Sequence, residues 1–127
     1  MMKTLSIGVL VFMLAGCVSS GPQVAPIDEL RAQFIAAGGD CADATAFELD
    51  AALESIRCVN GAVLHTVESD ADRSAIVDYY LESERVRART HVMLGAERWI
   101  IVDKIATIVT VMPKLGGIIQ GRNGANP

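Results

Sequence analysis

Apolar residues recur along the chain in short blocks whose spacing changes from block to block. An uncharged run extends from Leu5 to Ala15 behind a single lysine, Lys3. Ile27, Leu30, Phe34 and Ala37 then fall at helical spacing. They predict a helix over Ile27–Ala37, with Asp28 and Glu29 in its electropositive first turn and Gly38-Gly39 as the stop. Residues 42–53 are ambiguous, because Leu49, Ala52, Leu53 and Ile56 fit a helix while the stretch leads into a turn signal. That signal is Asn60-Gly61, suited to a type I′ turn whose two central residues both need positive φ. Glu54–Val59 and Ala62–Glu68 flank it as a predicted antiparallel hairpin.

Ser69-Asp70-Ala71-Asp72 has the form of a capping box and predicts a helix to about Glu84. Ile76, Tyr79, Tyr80 and Ser83 would share its inner face, with the tyrosine hydroxyls at the rim. His91–Leu94 and Trp99–Val102, separated by Gly95-Ala96-Glu97-Arg98, predict a second hairpin. From Lys104 to about Met112 the β-branched content favours a strand, whereas Asp103 as cap, Pro113 and Gly116-Gly117 favour a helix. The balance tips narrowly to the helix, since a strand would need an unmarked turn at Asp103. Ile118-Ile119-Gln120 adds an edge strand. The predicted class is α+β, a two-layer sandwich of a largely antiparallel sheet (two hairpins plus the edge strand) with helices on one face.

Composition narrows the classes further. The chain has 127 residues, enough for one domain, with 51% hydrophobic and 20% charged positions and 11 Lys+Arg against 15 Asp+Glu. This balance excludes charge-driven disorder, a collagen-like repeat and a nucleic-acid binder that works through a strong positive field. A mean hydropathy of +0.37 looks membrane-like. The run Leu5–Ala15 is nevertheless too short for a spanning helix of about 20 residues, and fits the apolar core of a secretory signal, about 7–15 residues after a basic start.

Leu14-Ala15-Gly16-Cys17, following that run, resembles the lipobox of bacterial lipoproteins. The resemblance implies that residues 1–16 are a cleaved signal peptide, that the Cys17 thiol receives a diacylglyceryl group, and that the new amino terminus can take a further acyl chain such as palmitate. Residues 17–26, with two prolines and no charge, would tether a domain over residues 27–120, followed by a disordered tail at 121–127. The expected partner is the membrane, through the lipid, on its extracytoplasmic side. Val18 after the cysteine resembles the pattern sent to an outer membrane where the host has one. The order Cys58, Asn60-Gly61, Ser69–Arg73, Gly95, Trp99 and Gly116-Gly117 is similar to small exported domains of actinobacterial lipoproteins, mostly without assigned activity.

With Cys17 given to lipid, Cys41 and Cys58 remain, and export makes a disulfide between them the expected state. Catalytic signals are sparse. His65 and His91 are the only imidazoles, with no H-x-x-x-H or H-E-x-x-H, no G-x-S-x-G elbow, no Walker loop and no dinucleotide fingerprint. No metal or cofactor is therefore expected. Arg85, Arg87 and Arg89 alternate and would share one side of an extended segment, where they could hold a carboxylate or phosphate. The preferred reading is the plainer one, that they follow a helix C-terminus, whose dipole favours cations, with Glu82 and Glu84 nearby. The expected function is a lipid-anchored, non-catalytic binding or interaction module of the cell envelope, with a protein, glycan or small-ligand partner and no nucleic acid. The alternative is a small envelope hydrolase using His65 or His91.

Overall fold

The computed structural model describes residues 25–121. The expected signal peptide at residues 1–16, Cys17, most of the expected tether and the tail from residue 122 onward lie outside the described residues. Of the tail expected over 121–127, Gly121 is described and is buried.

Helix α1 (Ile27–Ala36) forms over the predicted span and buries Ile27, Leu30 and Phe34. Its C-terminus closes as a Schellman motif. Gly39 N–H donates to the Phe34 carbonyl at 2.9 Å and Gly38 N–H to the Ile35 carbonyl at 3.0 Å, with Gly38 at φ 115°. The chain then enters β1 (Ala44–Phe47), crosses a loop and runs into β2 (Glu54–Cys58) and β3 (Val63–Thr66). Strand β1 resolves the ambiguous reading of residues 42–53: Ala44–Phe47 is a strand and 48–53 is a loop, with no helix. Its four residues are intermediate or exposed, so they carry no apolar alternation. Its definition comes from pairing with β2, Ala44 opposite Cys58 and Phe47 opposite Ser55.

The β2–β3 hairpin forms, but its turn is not type I′. Gly61 N–H donates to the Cys58 carbonyl at 2.9 Å and Cys58 N–H to the Ala62 carbonyl at 2.7 Å. Gly61 has φ 109°, and Asn60 is not among the positive-φ residues. The turn is a three-residue loop in which glycine alone takes the left-handed position.

Helix α2 (Asp70–Leu81) starts where predicted, with the Ser69 hydroxyl accepting from Asp72 N–H at 3.1 Å. It stops short of Glu84, and Ser83 caps a separate four-residue helix, α3 (Glu84–Arg87). Strands β4 (His91–Gly95) and β5 (Trp99–Lys104) form the second hairpin. Helix α4 (Ile105–Leu115) follows, then β6 (Ile118–Gln120). The sheet is six-stranded in the order β1-β2-β3-β5-β4-β6, and every neighbouring pair is antiparallel.

The α+β class, the antiparallel sheet and the helices packed on it are as the sequence implies. The helices divide between the two faces, because the central strands are apolar on both sides. Leu64 and Ile101 pack with Phe34, Ile108 and Val111 of α1 and α4. Val63, Ile100, Val102 and Met93 pack on the other face with Ile76 and Val77 of α2. All four residues of β3 are buried, as befits a central strand covered twice. The Cys41–Cys58 disulfide is formed and ties the segment before β1 to the end of β2.

Candidate functional site

The second apolar face carries a polar interruption. Ser55 and His65 are direct cross-strand partners in the β2–β3 register, so their side chains leave the sheet on the same side. Tyr80, from the last turn of α2, descends onto the pair. The Ser55 Oγ lies 2.6 Å from His65 Nδ1, and His65 Nε2 lies 2.7 Å from the Tyr80 hydroxyl. Ser55 is 3% exposed and His65 is wholly buried. The Phe47 ring meets the imidazole edge-on, with centroids 5.8 Å apart, and the Arg57 guanidinium sits 4.5 Å above the Phe47 ring.

Burial, and then the neighbouring Arg57 charge, bring the His65 pKa down from the usual 6.5 to about 4. The imidazole is therefore neutral near pH 7, with one nitrogen donating and the other accepting. Burial also pushes the Tyr80 hydroxyl upward, with Tyr79 adding to the shift, so Tyr80 stays protonated. One of the two consistent hydrogen-bond directions runs Ser55 O–H to Nδ1 and Nε2–H to the Tyr80 oxygen. In that arrangement the ring is a base aimed at the serine hydroxyl, and tyrosine fixes its orientation. Tyrosine brings no negative charge, so it holds the ring without stabilising an imidazolium as a carboxylate would.

Ser55 also lines a hollow of about 420 Å³ whose other walls include Phe47, Leu49, Ala52 and the acidic Glu48, Asp50 and Glu54. Residues 48–53, the β1–β2 connection, form most of that wall. Ala51 within it takes φ 75°, a costly conformation for a residue with a Cβ. Glu54 is partly engaged elsewhere, accepting from the Ile27 N–H at 3.0 Å.

This relay corrects the expectation of a non-catalytic binding module with no enzymatic role. Sequence offered no pairing of a histidine with a nucleophile, since Ser55 and Tyr80 stand 10 and 15 residues from His65 in no recognised motif. Strand register and the docking of α2 supply the pairing. The one available signal was the hairpin itself: centring it on Asn60-Gly61 places Ser55 near His65 once the loop length is known. The tyrosine face differs too, for Tyr79 is 58% exposed and Val77 takes the inner position expected of it.

His91 is half-buried at the start of β4, its Nδ1 2.9 Å from the Thr90 hydroxyl. Burial and then the Arg85 charge lower its pKa. It is not part of the serine relay. The extended arrangement imagined for Arg85, Arg87 and Arg89 is also corrected. The first two lie on α3 and Arg89 follows at φ 65°, so the three do not share one side of a strand. Arg87 and Arg89 converge with His91 on a separate hollow, and Arg85 does not line it.

No protein-family model matches this chain, no curated protein matches it in sequence, and no solved structure matches its fold.

Proposed function

We propose that the protein is a small hydrolase of the bacterial envelope, held at the membrane by lipid on Cys17, with Ser55 as nucleophile, His65 as general base and Tyr80 as the residue that positions the imidazole. The observation that carries this reading is the 2.6 Å contact between the Ser55 hydroxyl and a ring nitrogen of an uncharged, buried histidine. The lipobox-like residues Leu14–Cys17 and the Cys41–Cys58 disulfide support the extracytoplasmic placement, because such bonds persist in oxidising compartments.

The reaction class that fits is ester hydrolysis through an acyl-serine. Ser55 Oγ attacks the acyl carbonyl while its proton passes to His65 Nδ1. The carbon–oxygen bond to the leaving alcohol breaks, and the alcohol takes that proton. Water then attacks the acyl-serine, again giving a proton to His65, and the acid leaves as Ser55 recovers its hydrogen. Ser55 is nearly covered, so this reaction requires the 48–53 connection to move aside for substrate. The carboxylates of Glu48, Asp50 and Glu54 around the hollow disfavour strongly anionic substrates.

Labelling of the full-length protein with an uncharged fluorophosphonate tests this directly. The expected result is an adduct on Ser55, absent in Ser55→Ala and slowed roughly 100-fold or more in His65→Gln, the scale of a lost general base. A folded protein that gains no adduct on Ser55 overturns the proposal.

A further inference from the structure

A second hollow, of about 450 Å³, opens at the free edge of β4 and is lined by residues from both faces of the sheet, within the size range of small-molecule sites. Strand β6 pairs with β4 only from Met93 to Gly95, so the His91-Val92 end of β4 is left without a strand neighbour on that side. Leu81, Val86, Met93, Ile105 and Ile119 give the hollow an apolar lining. Arg87, Arg89 and His91 stand on it as well, with Gln120 as a neutral polar group, and no carboxylate is among the lining residues. Among the described residues neither arginine has a salt-bridge partner, although the chain as a whole is acidic at −4.

Two features set this hollow apart from an ordinary surface groove. Arg89 keeps φ 65°, a conformation that costs a non-glycine residue about 1–2 kcal/mol. Ala88 and Arg89 N–H groups close α3 onto the Glu84 and Val86 carbonyls, so the left-handed residue turns the chain directly from α3 into β4. The guanidinium is thus carried on a fixed turn. Most of the apolar lining is recessed: Met93 is buried, Leu81, Val86, Val92 and Ile119 are half-buried, and Ile105, 42% exposed, stands at the rim. A surface that inserts into a bilayer presents protruding apolar side chains, whereas this one accepts a chain from outside.

From this juxtaposition of two arginines on one hollow and a largely recessed aliphatic trough we infer that the protein binds a single-chain aliphatic carboxylate, such as a free fatty acid, with the head group on Arg87 and Arg89 and the chain along Leu81, Val86, Met93 and Ile119. Guanidinium forks match a carboxylate with parallel charge-assisted hydrogen bonds. The aliphatic body supplies apolar burial, and the occupant is a monomer because a diacyl lipid would leave one chain uncovered. This inference is independent of the serine relay, sharing with it only the neighbours Tyr80 and Leu81.

The test uses the full-length protein in zwitterionic phosphatidylcholine membranes and a photoactivatable diazirine fatty acid, with adducts mapped by mass spectrometry. The expected result is labelling within residues 81–93 and 118–121. It should be roughly tenfold weaker with the matching diazirine alcohol, since one lost charge-assisted hydrogen bond corresponds to about that factor. Arg89→Gly combined with Arg87→Gln should reduce labelling similarly. The glycine relieves the left-handed strain, so a folded variant is expected, and a melting temperature no lower than that of the wild type checks it. Equal labelling by acid and alcohol, full labelling of the folded double variant, or labelling here only by a diazirine phospholipid overturns the inference.

Discussion

His65 has no exposed surface, and protonating it places an imidazolium next to the Arg57 charge in a dry site. Its folded-state pKa lies below its unfolded value, so between pH 6.5 and about 4 the unfolded chain binds more protons. Stability should therefore be full above about pH 6.5 and fall as the solution is acidified towards 4, by an amount on the order of 3 kcal/mol. Asp103 works in the opposite sense. Its carboxyl is buried and raised above the usual range, its Oδ2 has no partner, and the folded state takes up its proton first as pH falls. Melting curves from pH 8 to pH 4.5 should show the loss in the wild-type protein and a much flatter profile in His65→Gln; equal slopes would remove His65 as the cause. Tyr80→Phe leaves His65 Nε2 without its partner and should cost about 1–3 kcal/mol in denaturant unfolding. At Gly39, a Cβ would fall 2.4 Å from the ring of Phe34, a side chain with no room to move. Gly39→Ala should lower stability by about 1–3 kcal/mol, read from the denaturation midpoint. Sequence marked Gly39 only as half of a helix stop; its close approach to Phe34 depends on the Schellman turn that folds the chain back over α1.

Elements were legible where a local cue and the final packing agreed. The α1 stripe Ile27, Leu30, Phe34 and Ala37 is the face that packs, and Ser69 caps α2 through its own hydroxyl. For α4 the β-branched run competed with Pro113 and the double glycine, and the expected cap is corrected: Asp103 belongs to β5, and the N-cap is Lys104, which makes no side-chain capping hydrogen bond. Helix won because Ile108 and Val111 bury one stripe against α1 and the sheet, and Pro113, though inside the helix, does not prevent it reaching Leu115. Strand β1 was illegible because Ala44–Phe47 are short and half-exposed, and become a strand only through β2. The relay was illegible for a related reason: it joins β2, β3 and α2, and no single stretch of sequence contains it. The disulfide followed from counting cysteines and is present. It links residues 17 apart, and in the chain-entropy account such a closure stabilises by about 3 kcal/mol. Reduction should lower the melting temperature on the order of 15 °C, at about 4–8 °C per kcal/mol for a domain of this size. An unchanged melt after verified reduction would show the bond to be inert.

At the scale of the whole molecule, one sheet carries two hollows, one beside Ser55 and acidic, the other at the free edge of β4 beside Arg87 and Arg89 and apolar. The fold class was open to reading because hydrophobic period and turn residues set it. The division of helices between faces was not, since it depends on Val63, Ile100 and Val102 presenting a second apolar surface that sequence alternation alone did not separate from the first. The proposed anchoring is also a matter for the whole chain, and it rests on residue 17. Cys17→Ser should abolish incorporation of labelled fatty acid and leave an uncleaved precursor by intact-mass analysis; a lipid-labelled Cys17→Ser protein would refute the anchor. If many copies crowd the same patch of surface, the margins of the sheet acquire a further importance. One margin is the four-residue β1, which the Cys41–Cys58 bond holds against β2, and the other is the three-residue β6. Ragged, short borders of this kind give an adjacent copy little to zip onto, so neighbours packed side by side can collide repeatedly without seeding fibrils. Cutting the staple would free the longer border first, making thiol reductants the treatment under which a dense layer of this protein should begin to clump.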